Sequence, residues 1–239
     1  MKSELGKHLF DFAVITDTHV NFGETECNSE FDINKGANAR MRHVVQDLNR
    51  RELAFVIHLG DLVHPVPALP DLYYRAAEAF KTITADLRHP IHLVPGNHDI
   101  GDKPIAWGPA GVVSDAFIAM WRETFGPNFK AFDLGPCRFI LLDAQVINTG
   151  LPAETDQQQW LEAQMADAGR KGLRTFLNTH YPPFLNEPGE VEHFDNIAQP
   201  GREWLLGLMA RHGAEALFAG HVHNFWYNRH GTTDCYLLP

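Results

Sequence analysis

The sequence predicts a layered α/β domain, and three observations support that fold class. Short apolar runs of strand length alternate along the chain with longer amphipathic stretches of helical periodicity. Hydrophobic residues make up 44% of the chain and charged residues 21%, which are ordinary values for a protein with a packed core. The length of 239 residues suits one large domain, so we expect residues 1–239 to form a single domain.

The predicted elements follow from these two periodicities. Apolar runs rich in Ile, Val, Leu or Phe predict strands at 9–16, 54–59, 91–94, 138–142, 175–178 and 215–219. Amphipathic stretches between them predict helices at 37–51, 72–87, 112–125, 155–170 and 197–212. The polar stretches 21–36 and 182–200 are expected to be loops. Residues 233–239 read as a strand that stops abruptly, which leaves open whether a further C-terminal segment follows.

The charge of the chain disfavours several classes of partner. The formal net charge is -10, from 20 basic and 30 acidic residues, and no run of Lys and Arg offsets it. Such a chain is a poor counterion for polymeric nucleic acid or an anionic membrane. The N-terminus has no secretory pattern, so a cytoplasmic location is the default expectation. The three cysteines lie far apart, which disfavours a thiolate zinc site.

Residues of metal-ligand type directly follow five of the predicted strands. They are Asp17, His19, Asp61, Asn97, His180, His221 and His223. Sites form at the carboxyl ends of strands in α/β sheets, so we expect these segments to meet at one edge of one sheet. Positions i and i+2 of an extended strand end share a face, which would let Asp17 and His19 reach one metal ion. Glycines at 60, 96 and 220 are expected to allow tight turns.

The motifs together resemble the calcineurin-like metallophosphoesterase superfamily. Its pattern is D-x-H, G-D, G-N-H-[DE], H and G-H-x-H, and every element is present between Asp17 and His223. The resemblance implies a four-layer α/β/β/α sandwich of two mixed sheets flanked by helices, the metallophosphoesterase fold. It also implies that residues 138–143 and 233–238 belong to the second sheet.

The resemblance assigns a role to each motif residue. It implies that the first metal is held by Asp17, His19 and His223, and the second by Asn97, His180 and His221, with Asp61 bridging both. His98 would face the substrate, and Asp99 would orient it. Mixed imidazole and carboxylate ligands suit iron, manganese or zinc better than calcium or magnesium, and iron and manganese are our leading candidates.

Within the superfamily the chain is most similar to the class III cyclic nucleotide phosphodiesterase group. The similarity lies in Gln159-Trp160-Leu161 and in the closing segment AGHVHN. The segments GDLVHP and GNHD differ from the G-D-x-V-D-R-G and G-N-H-E of the serine/threonine protein phosphatases, which disfavours that branch. His64 stands where purple acid phosphatases carry a tyrosine.

The expected function is therefore metal-dependent hydrolysis of a phosphate ester. A hydroxide bridging the two metals would attack phosphorus, and the expected substrate is a small phosphodiester, with cyclic nucleotides among the candidates. The alternatives are a phosphomonoesterase of the same superfamily and, in a different class, a non-catalytic metal-binding scaffold. A nuclease is disfavoured because the chain is short and acidic. The oligomeric state stays open.

Several residues near the motifs have no assigned role. His64 is interpreted as an ordinary loop residue before Pro65, with an extra ligand or a donor to Asp61 as the alternative. Four residues of the second loop region could stack on a substrate or could equally pack in the core: Tyr181, Phe184, His193 and Phe194.

Overall fold

Two β-sheets form the centre of the fold in the computed structural model, which describes residues 6–105 and 107–239. The first sheet has three strands: β1 (Ala13–Ile15), β2 (Val56–His58) and β3 (Ile91–Leu93). They lie in chain order and pair in parallel, with Ala13 opposite Val56.

The second sheet is mixed and has six strands in the order β4-β5-β6-β7-β9-β8. The inner pairs are parallel, whereas β4 with β5 and β8 with β9 are antiparallel. The bounds are β4 Lys130–Leu134, β5 Cys137–Leu141, β6 Arg174–Thr179, β7 Ala216–Ala219, β8 Trp226–His230 and β9 Thr233–Leu237.

The helices lie in the connections between these strands. They are α1 Ala37–Leu48, α2 Pro70–Thr84, α3 Asn97–Ile100, α4 Asp115–Phe125, α5 Pro152–Lys171 and α6 Gly201–His212, with 3-10 turns at Asp32–Gly36 and Ala144–Val146. Proline at the first position starts both α2 and α5, because its missing N–H would be unpaired there in any case. Gly172 ends α5 in the left-handed conformation. The predicted strands and helices are confirmed, with bounds that differ by a few residues.

The two sheets pack face to face through a largely aromatic layer. Phe55, Ile57 and Leu59 of the β2 region meet Phe139 and Leu141 of β5 in one buried cluster. These residues alternate along their strands, as expected when every second side chain points to the same face. The alternation thus fixes which face of each sheet turns inward.

Helices cover the outer face of each sheet. Buried residues of α1, α2 and α4 form one cluster on the side of the first sheet. Buried residues of α5 and α6 form another against the second sheet, with Ile140 and Leu177 contributed by the strands. The result is the expected sandwich of two sheets between helices. Only the second sheet is mixed, because β1, β2 and β3 all pair in parallel.

Two strands were not predicted, and both are edge strands of the second sheet. In β4 and β8 the residues are half-buried or exposed, so neither forms a continuous apolar run. The short helix α3 was also missed, because its four residues are too few for a helical period. Among the helices of the described residues, none combines the length and the apolar composition that crossing a bilayer requires.

Candidate metal centre

The predicted ligands come together at the carboxyl ends of strands, but in two sheets rather than one. Asp17, Asp61 and Asn97 follow β1, β2 and β3 of the first sheet, whereas His180 and His221 follow β6 and β7 of the second. The expectation of one edge of one sheet was therefore wrong. Because the sheets pack face to face, their carboxyl ends lie side by side and the site bridges both.

At five of the seven predicted ligand positions the backbone is left-handed rather than extended. Non-glycine residues with φ between 46° and 72° include Asp17, His19, Asp61, His221 and His223, and the described chain has only one other, Asn148. Such backbone costs about 1–3 kcal/mol per residue and tends to occur at functional sites. The alternation argument for Asp17 and His19 was therefore wrong in its mechanism, since a left-handed turn, not a strand end, aims both side chains.

The three glycines beside these residues serve two different purposes. Gly60 has a φ of +106°, so it makes the tight turn that the sequence predicted. Gly96 and Gly220 do not have left-handed φ values. Instead, a Cβ on Gly96 would lie 2.1 Å from the backbone nitrogen of Asp61, and one on Gly220 would lie 2.0 Å from Oγ1 of Thr16. Those two glycines allow neighbouring loops to approach closely.

Four side chains form the first donor group. Nε2 of His223 lies 3.1 Å from Oδ1 of Asp17 and 3.3 Å from Nε2 of His19. Nε2 of His19 lies 3.6 Å from Oδ2 of Asp61. One ligand atom from each of the four residues lies within 4.8 Å of the others.

The second donor group lies on the other side of Asp61. Nε2 of His180 is 3.3 Å from Oδ1 of Asp61 and 3.0 Å from Oδ1 of Asn97. Nδ1 of His221 is 3.1 Å from the same Asn97 oxygen and 3.2 Å from Nε2 of His180. Asp61 thus contributes one carboxylate oxygen to each group, as a bridging residue would.

The charge balance of the site fits bound cations. Burial lowers the pKa of His19 and of His221 to about 3, so both rings are neutral and carry the lone pair that a metal ion needs. Burial also acts to lower the pKa of His180, but the Asp61 carboxylate outweighs it and raises that pKa to about 9. The buried carboxylates therefore draw positive charge into the site, and the donor set fits two metal ions.

A backbone contact behind His180 fixes how that ring is turned. Nδ1–H of His180 donates to the backbone carbonyl of Leu59 at 2.9 Å, which leaves Nε2 to face the site. Nε2 of His221 has no hydrogen-bond partner among the residues that the structure describes, and a carboxylate oxygen of Asp195 lies 3.7 Å from it. Metal-binding histidines depend on such contacts for their tautomer.

The contacts of His98 and Asp99 differ from the predicted arrangement. The fully buried Asp99 carboxylate accepts backbone N–H groups of Leu62, Val63 and Gly96 at 2.8–3.2 Å, and none of its hydrogen bonds reaches the ring of His98. The expectation that Asp99 orients His98 was therefore wrong. Asp99 instead supports the loop that carries Asp61.

The ring of His98 is held by His64, which the sequence interpretation had set aside. Nδ1–H of His98 donates to the backbone carbonyl of His64 at 2.8 Å. The two rings lie 5.2 Å apart, and the His64 ring lies 5.8 Å from that of His19. His64 therefore lies beside the first donor group and belongs to the site.

The four aromatic candidates of the second loop region divide between core and site. Tyr181 and Phe184 are buried in the cluster beneath α5 and α6, so they pack and do not face a ligand. The half-buried ring of Phe194 lies 4.8 Å from that of His221. His193 pairs with acidic neighbours of its own loop, at 3.4 Å to Glu190.

The family of the chain agrees with this architecture. The family model for calcineurin-like phosphoesterases matches residues 10–225, a range that includes every predicted site residue. The chain therefore belongs to the calcineurin-like phosphoesterase family. Members of this family use a dinuclear metal centre.

Individual relatives differ in the reactions that their names describe. Serine/threonine-protein phosphatase CPPED1 of Bos taurus is 29% identical over 184 residues, a match that covers 75% of this chain and 56% of the relative. Glycerophosphodiester phosphodiesterase GpdQ of Enterobacter lignolyticus (strain SCF1) is 29% identical over 236 residues, covering 95% of this chain and 76% of the relative. This chain thus spans little more than half the length of the CPPED1 relative.

A solved structure shows the same fold. A dimetal phosphatase from Danio rerio (LOC 393393) superposes with a TM-score of 0.69 at 16% sequence identity, covering 95% of this chain and 86% of the other. At that identity the comparison establishes the fold, and the chemistry of the site has to be argued from the residues themselves.

Proposed function

We propose that the chain is a dinuclear-metal hydrolase of phosphate esters with a preference for small phosphodiesters, cyclic nucleotides among them. The observation that carries this proposal is the pair of donor groups that share Asp61, one oxygen to each side. Iron or manganese are the proposed ions, and zinc is the third candidate.

Each metal ion would be held by three residues and the shared carboxylate. The proposed ligands are Asp17, His19 and His223 for the first ion and Asn97, His180 and His221 for the second, with Asp61 on both. When bound, the two ions neutralise the phosphate and lower the pKa of the water that attacks it. The protein contributes the spacing of the donor groups and the neutral state of His19 and His221.

His98 is the proposed proton donor. Its backbone N–H donates to Oδ1 of Asp61 at 2.8 Å, which places it directly beside the donor groups. Because Nδ1–H is bound to the His64 carbonyl, Nε2 is the ring atom available to the substrate cleft that His98 lines. In the doubly protonated ring, Nδ1–H stays on the His64 carbonyl and Nε2–H would pass its proton to the leaving oxygen, which leaves His98 neutral.

The cleft suits a substrate that carries an organic group beside its phosphate. Besides the imidazoles, its lining includes apolar side chains and one carboxylate, Glu30. A diester carries two organic groups on its phosphorus, so one of them can lie against these apolar side chains while the other leaves. The relative that spans most of this chain, GpdQ, is named for a phosphodiesterase activity.

A second candidate is phosphomonoester hydrolysis. The observation in its favour is the similarity to a protein named as a serine/threonine-protein phosphatase. The segments GDLVHP and GNHD disfavour that branch, so we place this candidate second.

The two candidates are separated by one comparison of rates. The protein is loaded with manganese, and kcat/KM is measured for bis(p-nitrophenyl) phosphate and for p-nitrophenyl phosphate, which share a leaving group. We expect the diester to be hydrolysed more efficiently. A clear preference for the monoester would assign the chain to the phosphatases.

A further inference from the structure

A cleft of about 770 Å³ opens beside the donor groups. Three of the imidazoles that line it are either members of the first donor group or the proposed proton donor. These are His19, His98 and His223, and His64 lines the same cleft. The cleft is therefore continuous with the place where the phosphate would bind. Whatever is attached to that phosphate has this space to occupy.

Apolar side chains make up much of the lining. Phe31 is 69% exposed, Ile33 71% and Leu69 43%, and Val66 and Pro109 lie in the same cleft. A single exposed apolar side chain is ordinary, but several around one concave surface mark a binding site. An apolar ligand that covered these side chains would remove them from water, and this burial would favour binding.

The exposure of Phe31 and Ile33 is set by an ordered loop. Oγ of Ser29 accepts the backbone N–H of Phe31 at 3.1 Å and the side-chain amide of Asn34 at 2.8 Å. The backbone N–H of Asn34 donates to the carbonyl of Phe31 at 3.0 Å, at the start of the 3-10 turn. These bonds hold the two side chains at the cleft.

We propose that this cleft binds the alcohol portion of the ester substrate, and that this portion is a bulky apolar or aryl group. The inference rests on the proposed function, since the phosphate on the metal ions anchors the substrate. A small polyhydroxyl alcohol would leave Phe31 and Ile33 in water. A second anionic group would meet Glu30, which also lines the cleft.

Binding of phosphonates tests the inference directly, because their carbon–phosphorus bond is not hydrolysed. The dissociation constants of methylphosphonate and phenylphosphonate are measured by calorimetry on the manganese-loaded protein. Both have the same anionic head, so their ratio reports the contribution of the ring. We expect phenylphosphonate to bind about tenfold more tightly, as burial of an aromatic ring in a half-open cleft predicts.

Substitutions in the lining then test whether the phenyl ring of phenylphosphonate contacts Phe31 and Ile33. Phe31→Ser and Ile33→Ser, separately and together, should reduce that ratio toward one and leave the affinity for methylphosphonate unchanged. The matched control is Val191→Ser, which removes an apolar side chain that is 81% exposed and does not line the cleft. It should leave both affinities as they are.

The outcomes separate this inference from the proposed function. Equal affinities for the two phosphonates, with bis(p-nitrophenyl) phosphate still hydrolysed, would overturn the inference and leave the function standing. Absence of both phosphonate binding and ester hydrolysis would overturn the proposed function and the inference with it. A concentration-dependent dimer in sedimentation that Phe31→Ser dissolves would show that a second copy covers the cleft, which also overturns the inference.

Discussion

Nδ1 of His98 lies 2.8 Å from the backbone carbonyl oxygen of His64. A carbonyl only accepts hydrogen bonds, so this contact places the proton of a neutral His98 ring on Nδ1 and leaves Nε2 toward the cleft. Since the acceptor is a backbone atom, no side-chain substitution at position 64 removes it directly. The orientation of His98 is thus built into the loop that follows Asp61.

His98→Ala should separate catalysis from metal binding. Because His98 lines the cleft while Asn97 beside it faces the donor groups, we expect both metal ions to stay bound. Hydrolysis should slow by about 10²–10⁴-fold, the usual contribution of a general acid. The loss should be larger for leaving groups of high pKa, which need the proton more. Elemental analysis and a leaving-group series measure these two effects.

His43→Ala is the control for this substitution, because His43 is an exposed histidine on α1. It should change neither metal content nor rate. If His98→Ala loses a metal ion, or slows all leaving groups equally, the proton-donor role is wrong. In the second case His98 would act through electrostatic stabilisation alone.

Asp61→Asn should weaken binding of both metal ions. Each of its carboxylate oxygens faces a different donor group, and the amide replaces one oxygen with a nitrogen that cannot bind a cation. Asn97→Ala, by contrast, should weaken only the second ion. Titration of stripped protein with manganese gives the stoichiometry, and the exposed Asp71→Asn serves as the unaffected control. Equal loss in the Asp61 and Asn97 variants would contradict the bridging role.

Asp99→Ala should reduce stability through the backbone of the Asp61 loop. It leaves the buried N–H groups of Leu62, Val63 and Gly96 without their acceptor, at about 1–3 kcal/mol each. Asp99→Asn keeps one acceptor oxygen and should lose less free energy of unfolding. Urea denaturation measures both. A variant of normal stability whose leaving-group dependence matches that of His98→Ala would restore the orienting role that the sequence suggested.

Asp143, which follows β5, should make stability fall as the pH rises. Burial raises its pKa from 3.8 to about 7, although hydrogen bonds from Asn128 and the backbone of Gln145 act in the other direction. Between these values the folded state keeps a proton that the unfolded state has lost. This contribution therefore declines from about pH 4 to pH 7, by at most about 4 kcal/mol.

The variant Asp143→Asn lacks this titration, so it isolates the effect from other groups. The difference in free energy of unfolding between the native chain and the variant is measured by urea denaturation at pH 4.5, 6 and 8. We expect the native chain to lose stability relative to the variant as the pH rises. A difference that stays constant over this range would show that Asp143 is ionised throughout.

The proposed ligand residues could be picked out because their signals are local. Each is a metal-binding residue type placed directly after an apolar run, as in Asp17 after β1 and His221 after β7. The pairing of strands into two sheets could not be read from composition, since the choice of partner for β5 depends on distant residues. That is why the site was expected at a single sheet edge.

Other parts of the site carry no signal in residue type. The carbonyl of His64 acts as a backbone atom, so any residue at that position could supply it. The apolar lining at Phe31 and Ile33 lies in a polar stretch without periodicity, which reads as an ordinary loop. Only the fold brings that loop to the cleft, where these side chains form part of the lining.

If two metal ions act together on the phosphate ester, turnover requires both to be bound, and a metal titration with turnover as the readout measures this. Metal-stripped protein receives increasing equivalents of manganese, and hydrolysis of bis(p-nitrophenyl) phosphate is measured after each addition. We expect little turnover up to one equivalent and a rise that reaches its plateau at two per chain. Full activity at one equivalent, or activity independent of added metal, would contradict it.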